Sequence, residues 1–245
     1  MTSTALTNVD YKYWQPQEPI IQKISDLIPE GSSVLDIGPG NFAFRRATHF
    51  IDSKSDLPNV PKDQLVVMDF NDKVLPYDNK SFDFVYCRST LEDLQNPQML
   101  LREMERIGKA GYIETPSPIA ELARGIDWAS PPFRGYHHHH SIVWAHEGQL
   151  RLIHKYPILE YFRFNEEDII AWLREGPINW NTHFLWNDKI NWVYRTATVD
   201  YDVTQDYAPM LKSAMDQTRV SSSLFWMGLR KPEIKQTLGS LTAAA

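Results

Sequence analysis

Apolar residues in the first half of the chain fall into short runs, and three of these carry an acid at or near their end. Val34-Leu35-Asp36-Ile37 breaks into Gly38-Pro39-Gly40-Asn41, Ala47-Thr48-His49-Phe50-Ile51 ends on Asp52, and Leu65-Val66-Val67-Met68 ends on Asp69-Phe70. Short apolar runs bounded by turn formers predict buried strands. Leu75–Cys87 is turn-rich and leads into a fourth strand. Helical spacing follows through Leu91, Leu94, Met99, Leu100, Met104 and Ile107, and Gly111-Tyr112-Ile113-Glu114-Thr115-Pro116 gives a fifth strand. Strands alternating with helical patterns predict a parallel sheet with crossovers, which binds ligands at the carboxyl ends of its strands. Asp36, Asp52 and Asp69 all fall there.

Flanking segments complete the pattern. Ile20, Ile21, Ile24, Leu27 and Ile28 predict an amphipathic helix stopped by Pro29-Glu30-Gly31. Tyr11, Tyr13 and Trp14 precede it, either as a staple onto the sheet or as a lid, and residues 1–10 are polar and expected to be mobile. Ser141–His146 and Gln149–His154, turning at Glu147-Gly148, predict a hairpin with His154 opposite Ser141, expected to supply the antiparallel strands after the fifth. Glu166–Leu173 reads as a helix entered at Asn165, Thr182–Thr198 as strand-like, and Pro209–Leu229 as helical; Leu241–Ala245 should fray. The expected units are an N-terminal segment over 1–33, a central domain over 34–160, and an extension over 161–245 packing on it.

Composition narrows the chemistry. The 245 residues carry a net charge of −6 without a basic stripe, which disfavours nucleic acid as a partner. No apolar run is long enough to span a bilayer and no leader is apparent, so a cytoplasmic protein away from membranes is expected. The one cysteine, Cys87, excludes an internal disulfide and reads as a small buried hydrophobe. Seven of the eight tryptophans lie after residue 127, which suits either a ring-bearing or sugar-like ligand or a core closed by tryptophan.

The Gly38-Pro39-Gly40 turn lets backbone approach a ligand closely. Asp36 beside it argues for a cationic ligand, because a phosphate there would need N–H dipoles and cations. Neither a phosphate-loop Gly-Lys-Ser/Thr nor the third glycine of a dinucleotide fingerprint is present. Any one of the three acids could be a cap or turn former, but three at successive strand ends point to a shared ligand.

Residues 34–118 resemble the class I S-adenosylmethionine-dependent methyltransferases, specifically the type 11 branch. The strongest likeness is Leu75–Pro118, which is similar to that family's Pro-Phe-x-Asp-x-Ser-Phe-Asp-x-Val motif and the helix leading to its fifth strand. The resemblance implies a Rossmann-like α/β fold with antiparallel last strands and S-adenosylmethionine as cofactor. It also implies Asp36, Gly38, Gly40 and Asn41 at the methionine end, Asp52 on the ribose hydroxyls, Asp69 and Phe70 at adenine, and Arg88 near the methionine or the acceptor. Two departures stand out. Asp36 and Asp52 are 16 residues apart, so the first crossover helix must shrink to a turn or two around Phe42–Arg46. Ser89 and Asp93 stand where relatives often carry histidines.

The run His137–His140 lies between a proline-rich loop and the hairpin. In an extended chain His138 and His140 share one face and His137 and His139 the other, with His154 beside His140. Acid/base work at the acceptor, a structural role and a zinc, iron or nickel site all fit such a run. The reading taken is that His137, His138, His139, His140 and Glu114 are the catalytic candidates, with no metal, for methyl transfer to a small-molecule acceptor. The rivals are a methyltransferase fold retained for binding alone and a metal-dependent enzyme built on the histidines.

Overall fold

The computed structural model describes residues 15–71, 73–127, 133–195 and 202–228. The expected features at Tyr11, Tyr13, Trp14, residues 1–10, Trp128, residues 196–198, Leu229 and Leu241–Ala245 lie outside them. The chain opens with helix α1 (Glu18–Leu27), then strands β1 (Val34–Ile37), β2 (His49–Asp52), β3 (Leu65–Val67) and β4 (Phe82–Arg88). Helix α2 (Pro97–Ile107) leads into β5 (Gly108–Pro116) and the short α3 (Pro118–Leu122). The hairpin β6 (Ser141–His146) and β7 (Gln149–His154) follows, then α4 (Glu166–Glu175), β8 (Asn181–Asn187), β9 (Trp192–Arg195) and α5 (Ala208–Gly228).

Among the described residues the main sheet runs β3-β2-β1-β4-β5-β8, parallel except for β8, which lies antiparallel to β5. This is the expected Rossmann-like α/β architecture with an antiparallel last strand. The strand that fills that place is β8. The hairpin, expected there, instead joins β9 in a separate three-stranded sheet. Glycines explain the choice: a Cβ on Gly108 or Gly111 would come within 3.0 Å of Trp186, so bare backbone on β5 is what lets the β8 tryptophan lie against it. Both faces of the hairpin are apolar. Val143 and Leu152 pack with α2 and the main sheet, while Ile142, Trp144 and Ile153 pack under Ile119, Leu173, Leu211 and Met215.

The hairpin register is the one expected, with Ser141 opposite His154. Glu147 (φ 49°) and Gly148 (φ 71°) both take positive φ, the turn whose twist matches that of the flanking strands. Helices are fewer than expected. The eleven residues between β1 and β2 form turns only, and only a single 3-10 turn (Lys62–Gln64) lies between β2 and β3. Pro39, Pro58 and Pro61 with Gly38 and Gly40 deny these segments a helix. The helical spacing from Leu91 is also interrupted, because Pro97 restarts it: Leu91–Asp93 is a 3-10 turn and α2 begins at the proline.

The opposite faces of the sheet have different covers. α1 packs Ile20, Ile21 and Ile24 on Val34, Phe84, Tyr86 and Tyr112, while Leu100, Met104 and Ile107 of α2 cover Leu35, Ile37, Val85 and Ile113. Two later elements join earlier ones: β8 lies along β5 over seven residue pairs, and Trp144 of β6 donates from Nε1 to Gln217 of α5 at 2.8 Å.

Candidate active site

The carboxyl ends of β1 and β2 hold one group of candidates. Asp36 is fully buried and accepts a hydrogen bond from the Phe44 amide at 2.7 Å. Burial raises its pKa to about 7, against the opposing pull of that hydrogen bond and the Arg88 charge. Gly38 (φ 69°) and Gly40 (φ 50°) turn the chain just beyond. The two have different reasons to be glycine. A Cβ on Gly38 would stand 2.2 Å from Thr90 Oγ1, whereas at Gly40 it would meet open space. Asp52 closes the group: its Oδ2 accepts from the Gly40 amide at 3.2 Å and its Oδ1 from the Lys54 amide at 2.9 Å. Asn41 lies exposed beside them.

Asp69 stands apart. It is exposed, accepts from the Asn71 amide at 3.0 Å in an Asx turn and lies 4.0 Å from Lys73. The Phe70 ring is buried in the core rather than offered as a platform.

A second group crosses β4, β5 and β8, where Arg88, Glu114 and His183 are register neighbours. Arg88 Nε donates to Glu114 Oε1 at 3.0 Å, Asn181 Nδ2 donates to the same oxygen at 3.1 Å, and the Tyr112 hydroxyl donates to Oε2 while lying 2.6 Å from His183 Nδ1. Burial alone would raise the Glu114 pKa, but the Arg88 charge and the bonds from His183 and Tyr112 hold it at about 2. A carboxylate so firmly ionised and so fully bonded is a poor proton acceptor. These contacts favour a positioning role for Glu114, holding Arg88 and the strand ends, over the acid/base role expected of it.

The third group gathers around the histidines. Tyr136–His139 is a turn, with the His139 amide donating to the Tyr136 carbonyl at 3.3 Å. An extended run would have paired alternate histidines. The turn instead puts consecutive rings together, His137 with His138 and His138 with His139, at centroid separations of 5.3 and 4.5 Å. His137 Nδ1 lies 2.5 Å from Asp127, and the buried His139 places Nδ1 2.6 Å from Glu121 Oε1. Glu121 is also paired with Lys155, and these two cations outweigh burial to hold it at about 2. Burial and the His139 charge push His138 down; burial also acts downward on His139, but Glu121 reverses it and the net shift is up. His140 is latched by its backbone, donating to the Glu92 carbonyl at 2.8 Å, and among the described residues no ion pair holds its ring.

Glu92 and Asp93 face this group from the turn after β4. Asp93 Oδ1 lies 3.6 Å from His138 Nε2 and 3.5 Å from His139 Nε2. Glu92 is 1 % exposed, and among the described residues neither carboxylate oxygen has a hydrogen-bond partner. Burial raises its pKa to about 8, against the His139 charge. Sequence reasoning passed over Glu92, Glu121 and Lys155. An acid between Leu91 and Leu94 was a signal for the first, while the other two reach the site only through the folding of β6–β7 against α3.

Residues 35–113 match the family described as "Methyltransferase domain". Over that segment, about a third of its length, the chain is similar to the type 11 methyltransferase domains. No curated protein matches the chain. Among solved structures, a putative methyltransferase from an antibiotic biosynthesis pathway of Anabaena variabilis is 20% identical, over 46% of this chain and 51% of that one, at a TM-score of 0.36. An S-adenosylmethionine-dependent methyltransferase from Mesorhizobium loti is 20% identical over 44% and 57%, at 0.35. A putative Haloferax volcanii methyltransferase structure, solved as a complex with the Trm112 activator, is 26% identical over 36% and 46%, at 0.30. The aligned part thus spans about half the length of each. Within the methyltransferase domain fall Asp36, Gly38, Gly40, Asp52, Asp69, Phe70 and Arg88, whereas the histidine run, Glu121 and Lys155 lie beyond the matched segment. No helix of the described residues is long and apolar enough to cross a membrane.

Proposed function

We propose that this protein transfers the methyl group of S-adenosylmethionine to a small-molecule acceptor. The observation that carries the reading is the convergence of Asp36, Gly38, Gly40 and Asp52 at adjoining strand ends, joined by the Gly40–Asp52 hydrogen bond. These residues fit the cofactor. The buried Asp36 has a backbone amide for a partner and would gain from a cationic methionine end, and the space beside Gly40 admits close approach to backbone. Asp52 keeps lone pairs for ribose hydroxyls beyond the two amides it accepts from. Asp69 and the Phe70 backbone would serve adenine, since the Phe70 ring is committed to the core. Arg88 acts through Glu114, holding the ends of β4 and β5 in register.

Bound S-adenosylmethionine supplies an electrophilic methyl group. The chain's task is to align the acceptor with it and keep water out. His137–His140 form the acceptor-side acid/base machinery, with His140 the member best placed to take a proton because, among the described residues, no carboxylate occupies its ring. Trp144, Trp180 and Trp186 are buried in the core, so these three lend no weight to a ring-bearing or sugar-like acceptor.

Calorimetry with S-adenosylmethionine, followed by assay of S-adenosylhomocysteine release across hydroxyl, amine and carboxylate acceptors, tests the reading. One-to-one binding with acceptor-dependent release supports it. Binding with no release for any acceptor supports the rival of a fold kept for binding, and no binding rejects both.

A further inference from the structure

We infer that Asp93, His138 and His139 form a binding site for a divalent first-row transition ion, zinc foremost. The three donor atoms all lie within 4.8 Å of one another. His138 Nε2 and His139 Nε2 stand 3.6 and 3.5 Å from Asp93 Oδ1. Those separations exceed the roughly 3.2 Å limit of a sound N–H···O bond. They match the edge of a tetrahedron whose centre lies about 2.0–2.2 Å from each ligand, an edge of about 3.3–3.6 Å.

The surroundings are those of a metal-binding imidazole. His139 places Nδ1 against Glu121 Oε1 at 2.6 Å, which turns the Nε2 lone pair toward Asp93 when the ring is neutral. Glu121 is itself held by Lys155 and is fully buried, so the orienting carboxylate is rigid. Glu92 supplies the independent sign: a buried carboxyl beside Asp93 without a hydrogen-bond partner among the described residues, in electrostatic contact with His139 and Asp93. A second grouping, Asp127 with His137 and His138, shares His138 but is more exposed, and its Asp127–His137 contact is already a hydrogen bond.

Two imidazoles and one carboxylate leave a fourth position open, the pattern of catalytic rather than structural zinc. If the acceptor is an oxygen acid, that position would take its oxygen and ease loss of its proton to His140. This role rests on the proposed methyl transfer; the site itself does not.

The test uses untagged, chelator-stripped full-length protein titrated with zinc chloride, with cobalt(II) absorption as the coordination probe. One ion per chain in the micromolar range or tighter is expected, with a tetrahedral cobalt spectrum. Asp93→Asn and His138→Gln, both at partly exposed positions, should abolish saturable binding, and Glu121→Gln should weaken it by about 10–100-fold. His49→Gln and His146→Gln should leave it intact. Absence of saturable binding by wild type, or a full equivalent retained by both folded Asp93→Asn and His138→Gln, overturns the proposal. S-adenosylmethionine titrated into the same samples keeps the two questions apart, since cofactor binding without metal rejects only the ion.

Discussion

The two ends of the active face hold their carboxylates in opposite ways. At β1 and β2, Asp36 and Asp52 are satisfied by amides no more than twelve positions away, in turns too short for helices. At β5 and α3, Glu114 and Glu121 are held by Arg88, Asn181, His139 and Lys155, partners 18 to 67 positions distant, with the Tyr112 hydroxyl the one near neighbour named among them. Local amides leave lone pairs and an approachable backbone, which suits a site that must accept a whole ligand. Distant cations fix geometry, which suits a site that must aim a nucleophile. On the proposed function, the first edge would admit the methyl donor and the second would align the acceptor.

The contrast can be broken from the acceptor side first. Replacing His137–His140 with asparagine should lower turnover by about 10²–10⁴-fold while leaving cofactor affinity nearly unchanged, measured by S-adenosylhomocysteine release beside calorimetry. Arg88→Ala strands a buried anion at Glu114 and should cost about 3–5 kcal/mol in denaturant unfolding, whereas Asp69→Ala at an exposed turn should cost within about 0.5 kcal/mol. On the donor side, Asp52→Ala in a folded protein should weaken S-adenosylmethionine by about 1.5–3 kcal/mol. Unchanged affinity would remove Asp52 from the site. Smaller still is the glycine pair. Gly40→Ala incurs only the left-handed backbone, about 1–2 kcal/mol, and Gly38→Ala should lose more, because its Cβ runs into Thr90. Equal melting temperatures for the two variants would contradict that difference.

What could be read from the chain follows the same division. The strand ends at Asp36 and Asp52, the Gly38–Gly40 turn, the Asn165 cap and the Ser141–His154 register are set by near neighbours and turn chemistry, so they were legible. The partner of β5 was not, because β8 wins that place through the fit of Trp186 over Gly108 and Gly111, a long-range packing event. The histidine pairing failed for a local reason: two-residue alternation assumes an extended chain, and Tyr136–His139 is a turn. Glu114 looked available in sequence since nothing nearby announces Arg88, Asn181 and His183 converging on it. Asp69 fits the strand-end pattern in sequence, and the exposed Asx turn it makes with Asn71 is equally local.

Asp36 offers the most direct check on the central claim, that the β1–β2 edge binds the cationic donor. Its carboxyl is raised to about 7 from 3.8, so the folded protein favours the neutral form, and the stability this lends is full below about pH 4 and lost as pH climbs through 7. Glu114 and Glu121, depressed to about 2, run the other way and lose their contribution only as pH falls from about 4.5 toward 2. Between pH 5 and 8, Asp36 is therefore the one of these three that titrates. A cationic ligand requires it ionised, so S-adenosylmethionine affinity, measured by calorimetry across that range, should fall about tenfold per unit below pH 7 and flatten above it. Proton release on binding should appear at pH 6, and both effects should vanish in Asp36→Asn. Affinity independent of pH in the wild type, or unchanged in the variant, would contradict the placement of the donor beside Asp36.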